Sequence, residues 1–252
     1  MPGIEATKGS TVDPKKIARM FGVWFLLTWV FAIAGRELLH PAYSDPDYIL
    51  GAGSDVRVQL GAVFDFLLII ANIATGVVLY PIAKRHSQIG ALGYVTARIM
   101  ESAFIMVGIL SLMSIVALRQ DASGLTDAAL EATGRSLATV YEYAFLFGPG
   151  LVVGFGNGLI LGWLMYSSGL VPRRLAMLGL IGGPSLIVAF VLVLFGVVET
   201  GSAGQFVFSL PEMVWEAALP IYVIWKGFRP SAITFDEPRH VGVDPRPSAT
   251  SA

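Results

Sequence analysis

Apolar runs long enough to cross a lipid bilayer dominate the hydrophobic pattern of the chain, and short polar segments separate them. A helix needs about 20 predominantly apolar residues to span the hydrocarbon core. The first helix is predicted to start at Asp13-Pro14, and the successive apolar runs cover about 20–34, 58–80, 89–118, 137–167, 175–198 and 207–225. The predicted fold class is therefore all-α: a polytopic membrane helix bundle of about six transmembrane helices.

Polar and small residues at both ends of the chain predict disordered tails. Residues 1–13 form the N-terminal tail, and residues 229–252 form a C-terminal tail that is rich in proline and charge. No polar segment between the tails is long enough to fold alone. Residues 14–228 are therefore predicted to form one six-helix transmembrane domain.

Basic residues are distributed unevenly between the two sides of the predicted bundle. Twelve lysines and arginines fall in the N-terminal segment, the second and fourth loops and the C-terminal tail, against four in the opposite loops. Because cytoplasmic segments carry the basic excess, both termini are predicted to be cytoplasmic in a multi-pass protein of the cell inner (plasma) membrane. A cleaved signal peptide is the alternative for the first span, because Ala32-Ile33-Ala34 resembles a cleavage site.

Composition agrees with a membrane protein and excludes several kinds of site. The chain is 55% hydrophobic and 14% charged, whereas a typical soluble domain is about 25% charged. Its formal net charge of −1 gives no basis for nucleic-acid binding. It has no cysteine, which excludes disulfides, iron–sulfur clusters and thiolate zinc sites. The three histidines fall in separate segments, so no cofactor and no metal site is expected.

Charged residues inside the apolar runs are the main candidates for function, because such residues are rare in a bilayer and face the protein interior. Arg98 and Glu101 lie three residues apart in the third span, so they share a helix face and are predicted to form an intramembrane ion pair. Asn72 and Asn157 fall at a similar depth on neighbouring spans. These four residues form a predicted polar inner layer.

Four further acids are predicted to form a second, outer layer around a candidate cavity. They are Asp65, Glu142, Glu212 and Glu216. A regular helix turns 100° per residue, so Asp65 shares a face with Asn72, Glu212 shares one with Glu216, and Glu142 is offset from Asn157 by about 60°. Two interpretations of the polar residues remain open. Either they are tied to one another inside the bundle and serve only to hold the helices together, or they form a substrate or proton path. The residues of that path would be Asp65, Glu101, Glu142 and Glu216, with Arg98 as the counter-charge.

The fourth span carries a regular series of glycines at four-residue spacing, which lets another helix approach closely. The series consists of Gly150, Gly154, Gly158 and Gly162. It predicts helix packing inside the monomer, with a homo-oligomer contact as the alternative. Pro149 is expected to kink the same helix, because it lacks an amide hydrogen.

Three stretches together carry a family resemblance. The first comprises LYPIAKR at 79–85 and ARIMESAF at 97–104, the second is GLVPRRLAMLGLIGG at 169–183, and the third is PEMVWEAALPIYVIWKGF at 211–228. In this order they resemble the bacterial domain of unknown function 4386 family, over about 17–229. The resemblance implies a multi-pass membrane fold and no particular activity. The positions that match its pattern are Arg98, Glu101, Pro172, Arg173, Pro211, Glu216, Lys226 and Gly227, and Pro220 departs from it.

The sequence favours a non-enzymatic accessory or structural membrane component. One alternative is a small-molecule or proton-coupled transporter with an outward-facing acidic vestibule. A second is a lipid-modifying membrane enzyme, although no histidine–acid cluster or known catalytic motif is present. The expected partners are the lipid bilayer and either a second copy or another membrane protein, and no nucleic acid.

Overall fold

Six long helices form the part of the chain that the computed structural model describes, residues 13–230. We number them α1 (Pro14–Ser44), α2 (Asp55–His86), α3 (Gln88–Gln120), α4 (Asp127–Ser168), α5 (Arg173–Leu194) and α6 (Ala203–Lys226). Each is long and apolar enough to span a membrane, and residues 13–230 contain no strand. The predicted six-helix membrane fold is confirmed. Nearly all of both predicted disordered tails, residues 1–12 and 231–252, lies outside the described residues.

Side-chain caps define where several helices begin. Asp13 accepts a hydrogen bond from the backbone N–H of Lys15 at 2.9 Å, and Pro14 follows it as the first helical residue. Ser87 is the single residue between α2 and α3, and its hydroxyl accepts from the backbone N–H of Gly90. These caps satisfy amides that a helix start otherwise leaves unpaired.

Two helices, α1 and α4, extend about ten residues beyond their predicted apolar runs at one end. Residues 36–57, between the first two predicted spans, are rich in charge, proline and glycine and predict a polar loop, but α1 continues into this segment as far as Ser44. Similarly, α4 begins at Asp127, ten residues before the predicted start at 137. Leu39 of α1 and Leu130 of α4 are buried in one hydrophobic cluster, and this packing supports both extensions. Hydropathy locates the part of a helix that crosses the bilayer, whereas packing beyond the bilayer decides where the helix ends.

Both described ends of the chain lie at the same end of the bundle, as an even number of spans requires. Phe21 of α1 packs against Phe228, with ring centroids 6.5 Å apart. At this end α1 also packs closely on α6, because Gly22 lies against Pro220 and Val223. By the positive-inside rule this end is the predicted cytoplasmic end.

The fourth helix is irregular in its centre and packs its glycines against α5. Residues Leu146–Val152 and Gly154–Leu161 are π-helical, and Pro149 lies within the first of these segments. A side chain added at each glycine of the series would meet α5 at Phe190, Ile187, Gly183 and Leu180 respectively. The glycine series is therefore occupied by a contact within the monomer, and an oligomer contact would need another surface.

Arg119 fixes the first loop at the opposite end of the bundle. Its guanidinium donates hydrogen bonds to four backbone carbonyls, those of Tyr48, Gly51, Ala52 and Gly53, at 2.5–3.1 Å. It also pairs with Asp55 at 3.1 Å. Burial and the hydrogen bond that Tyr48 donates to Asp55 raise the pKa of Tyr48 to about 12, so the phenol stays a neutral donor.

Substitution of Arg119 by lysine is expected to lower the free energy of unfolding by about 1–3 kcal/mol. A lysine ammonium cannot reproduce the fork of donors, and the loop carbonyls would lose partners. Denaturant unfolding of the purified protein in micelles would measure the change. Arg57→Lys is the matched control, because Arg57 makes one such bond, to the carbonyl of Glu37. Equal effects of both substitutions would contradict the role of Arg119.

Candidate functional site

A cavity of about 320 Å³ lies inside the bundle and is lined by residues of five helices, α1, α2, α3, α4 and α6. Its wall contains apolar and aromatic side chains together with seven charged or amide residues. These seven are Arg36, Asp65, Asn72, Arg98, Glu101, Asn157 and Glu216. The cavity therefore reaches both the predicted inner layer and part of the predicted outer layer.

Arg98 is the centre of a hydrogen-bonded network at one end of this cavity. Its Nη1 lies 2.7 Å from Oε2 of Glu101 and also donates to Oδ1 of Asn157 at 3.0 Å. Its Nη2 donates to Oδ1 of Asn72, and the Asn72 amide donates to the other oxygen of Glu101 at 3.1 Å. Because Arg98 is 2% exposed and Glu101 5% exposed, this pair is shielded from lipid and largely satisfied by protein.

The network is possible because α2 and α3 approach each other closely beside it. A Cβ atom at Gly76 would lie 3.2 Å from the backbone of Val95 and 3.7 Å from the Arg98 side chain. Thr75 reinforces the same contact, since its hydroxyl donates to the Asn72 carbonyl and accepts from Tyr94. A small residue at position 76 therefore allows Asn72 to reach the guanidinium.

Glu216 belongs to this inner network, which differs from its predicted place in the outer layer. The Asn157 amide donates to Oε1 of Glu216, while the Asn157 carbonyl accepts from the indole of the fully buried Trp215. Glu216 lies ten residues before the end of α6 at Lys226, and Arg98 lies ten residues after the start of α3. Counted from the same end of the bundle, the two residues share a depth of about 15 Å.

Asp65 lines the cavity from α2. Its carboxylate packs against Gly35 of α1, where a Cβ atom would collide with it. Asp65 is 7% exposed and no described residue forms a hydrogen bond or ion pair with its side chain. Arg36 also lines the cavity, and its guanidinium lies 4.5 Å from the ring centroid of Phe145.

The other two predicted outer acids lie outside this cavity. Glu142 is exposed and lines a separate cavity of about 250 Å³. Glu212 is 1% exposed, packs against Gly182 and Gly158, and has no hydrogen-bond partner for either carboxylate oxygen among the described residues. The predicted outer layer placed the four acids around one cavity. In the structure they do not line a common cavity.

Four aromatic side chains of the cavity wall were not predicted from the sequence to line a cavity. Trp29, Phe104, Tyr141 and Phe145 all line it. Trp29 lies seven residues before Arg36, a spacing that puts both residues on one helix face. The sequence carries no comparable signal for the other three aromatic residues. The aromatic wall gives the cavity an apolar body beside its polar end.

No group of three or more histidine, aspartate or glutamate side chains within residues 13–230 is arranged to hold a metal ion. His40 and His86, the described histidines, bond to Ser44 and Ser167 and do not line the cavity. The polar groups that the wall offers a ligand are carboxylates, amides, guanidinium N–H groups, the hydroxyls of Thr28 and Tyr141, and the indole N–H of Trp29.

A family model described as a domain of unknown function, DUF4386, matches residues 20–227. The chain belongs to the DUF4386 family. The match contains every residue of the cavity wall, the whole of α2 to α6, and α1 from residue 20 onward. No protein of curated function and no solved structure matches the chain. The six apolar helices indicate a multi-pass membrane protein, and the family assignment leaves its activity to be inferred from the cavity.

Proposed function

We propose that this DUF4386 protein is a non-enzymatic component of the cell inner membrane that binds a small molecule in its central cavity. The observation that carries the proposal is the cavity itself, about 320 Å³ in volume and lined from five helices. Ligand sites are typically concave, mostly apolar, and equipped with a few converging polar groups. A bundle whose helices only support one another would have no need of such a space, since protein interiors are closely packed.

The composition of the wall favours binding over catalysis. Arg98 and Glu101 direct most of their hydrogen bonds to each other and to two asparagines, so they are fixed in place. A lipid-modifying enzyme of a common type would need a histidine or a metal-binding group of acids beside the substrate. Neither described histidine lines the cavity.

Lipid-side access supports a ligand that arrives from the bilayer. The aliphatic wall residues Ile33 of α1 and Met213 of α6 are 59% and 36% exposed. Closer to the predicted cytoplasmic end, α1 and α6 are joined by the hydrophobic cluster that contains Phe25 and Trp215. A closed contact between α1 and α6 therefore bounds the cavity on its predicted cytoplasmic side. The cavity wall also includes side chains that reach the lipid-facing surface.

Filling the cavity is expected to reduce the amount of retained small molecule at least about tenfold. Ala32 lines the cavity and is partly buried, so Ala32→Phe would place a ring in the space. Mass spectrometry of protein purified in mild detergent would measure co-purifying molecules. Ala103→Phe is the control, because Ala103 is exposed on α3 and lies outside the cavity. Equal retention by wild type and both variants would contradict ligand binding in the cavity.

Transport is the second candidate function, because the central cavity adjoins the cavity that contains Glu142. Arg36, Tyr141 and Phe145 line both spaces and form the wall between them. Arg36 lies over Phe145, and Tyr141 stacks on Tyr43 with centroids 4.8 Å apart. Movement of this wall would connect the central cavity to the outer side, which is what alternating access requires. Uptake of a bound compound into proteoliposomes would separate a carrier from a binding protein.

A further inference from the structure

The central cavity contains more carboxylates than guanidinium groups. Three acids line it, Asp65, Glu101 and Glu216, against two arginines, Arg36 and Arg98. Glu101 is paired with Arg98 at 2.7 Å, so this pair contributes no net charge to the cavity. Asp65 and Glu216 remain, with Arg36 as the one further basic group in the wall.

Neither remaining carboxylate is neutralised by an ion pair. Arg36 forms no ion pair within 4.0 Å of Asp65, and its guanidinium lies instead over the ring of Phe145. Glu216 accepts one hydrogen bond, from the Asn157 amide, through Oε1. Its Oε2 has no hydrogen-bond partner among residues 13–230, and the side chain lines the cavity. Two acids on different helices therefore present free acceptor oxygens to one space.

The rest of the wall is suited to the apolar part of a ligand that carries a positive charge. Trp29, Tyr141 and Phe145 line the cavity together with aliphatic side chains. Aromatic rings attract cations through their negative faces, and the effect is larger where water is excluded. An anion would meet Asp65 and Glu216 without a free arginine pair to balance them.

We propose that the cavity binds a monovalent organic cation with an apolar body, with Glu216 and Asp65 as its counter-charges. The inference rests on the proposed ligand-binding function and specifies the class of ligand. A single positive charge matches the excess of one carboxylate over the guanidinium groups. The volume of about 320 Å³ suits a molecule with one aromatic ring and a small ammonium group.

A matched series of three probes tests the charge preference at nearly constant shape. They are benzyltrimethylammonium, its uncharged carbon analogue neopentylbenzene, and the anionic phenylmethanesulfonate. Binding of each to the full-length protein in micelles is measured by calorimetry and by quenching of tryptophan fluorescence, with empty micelles as the blank. The cation is expected to bind at least about tenfold more tightly than the uncharged analogue, and the sulfonate more weakly than either.

Charge-removing variants locate the preference at the proposed residues. Glu216→Gln keeps an acceptor for the Asn157 amide, and Asp65→Asn keeps the size of the side chain that packs on Gly35. Each is expected to weaken binding of the cation about tenfold and to leave binding of neopentylbenzene unchanged, which also shows that the cavity remains folded. Glu142→Gln is the matched control, since this exposed acid lies outside the central cavity and should change neither affinity.

The outcomes separate this inference from the function on which it rests. Cation selectivity that Glu216→Gln or Asp65→Asn abolishes, and Glu142→Gln preserves, supports the inference. Equal binding of all three probes, or preference for the sulfonate, overturns it while ligand binding in the cavity stands. Cation selectivity that all three variants leave intact also overturns it. Binding of none of the probes, together with equal retention of co-purifying molecules by wild type and Ala32→Phe, overturns both.

Discussion

Replacement of Arg98 by methionine is expected to lower the free energy of unfolding by about 3–5 kcal/mol, the usual loss when one partner of a buried ion pair is removed. The substitution leaves Glu101 as a buried carboxylate without its guanidinium, at 5% exposure. It also removes donors from the side-chain oxygens of Asn72 and Asn157. Reversible unfolding in mixed micelles, followed by circular dichroism, would measure the loss.

The paired substitution distinguishes a structural ion pair from two independent polar residues. Glu101→Gln alone is also expected to be destabilising, because the guanidinium then lacks a counter-charge. Arg98→Met combined with Glu101→Gln should recover much of the loss, since no uncompensated charge is left inside the bundle. Single variants that each change stability by less than about 1 kcal/mol, or a double variant as unstable as the sum of both, would refute the pairing.

Substitution of Gly183 by alanine is expected to lower the free energy of unfolding by about 3 kcal/mol, at the upper end of the usual cost of overpacking. The new Cβ atom would lie 2.5 Å from the carbonyl oxygen of Gly154 and 2.9 Å from Cα of Gly158. Both neighbours are backbone atoms of α4, so they cannot rotate away as a side chain would. The two helices would have to separate along the glycine series.

Gly93→Ala on α3 is the control for this prediction. Its added Cβ atom would lie 3.7 Å from the nearest atom, in the Ile160 side chain, which is an ordinary contact. Alanine is favoured over glycine inside a helix by about 0.5–1 kcal/mol, so this variant should be neutral or slightly stabilised. Thermal unfolding of both variants in the same detergent makes the comparison. A Gly183→Ala protein as stable as wild type would show that the α4–α5 contact is looser than described.

Features that depend on sequence spacing within one regular helix were predictable. Arg98 and Glu101 are three residues apart, and in the structure they form an ion pair. Hydropathy likewise predicted six spans, because the bilayer imposes a minimum length on each of them. The family resemblance, which rested on three separate stretches, is confirmed by the match over residues 20–227.

Features that depend on how helices are rotated and how far they extend were not predictable in the same way. Glu142 and Asn157 were placed on nearby faces by assuming 100° per residue, but α4 is π-helical over most of the segment between them. The extra residues per turn change the relative direction of the two side chains. Glu142 consequently lines a different cavity from Asn157.

By itself, the sequence determined the number of spans, the ion pair and the helix surface on which glycines allow close approach. Length, hydropathy and spacing along one helix are local properties, and they carry this information directly. Only the tertiary structure decided that Asp65 and Glu216 share the central cavity, whereas Glu142 and Glu212 lie outside it. That division depends on the rotation of each helix about its axis, which the packing of all six helices sets together.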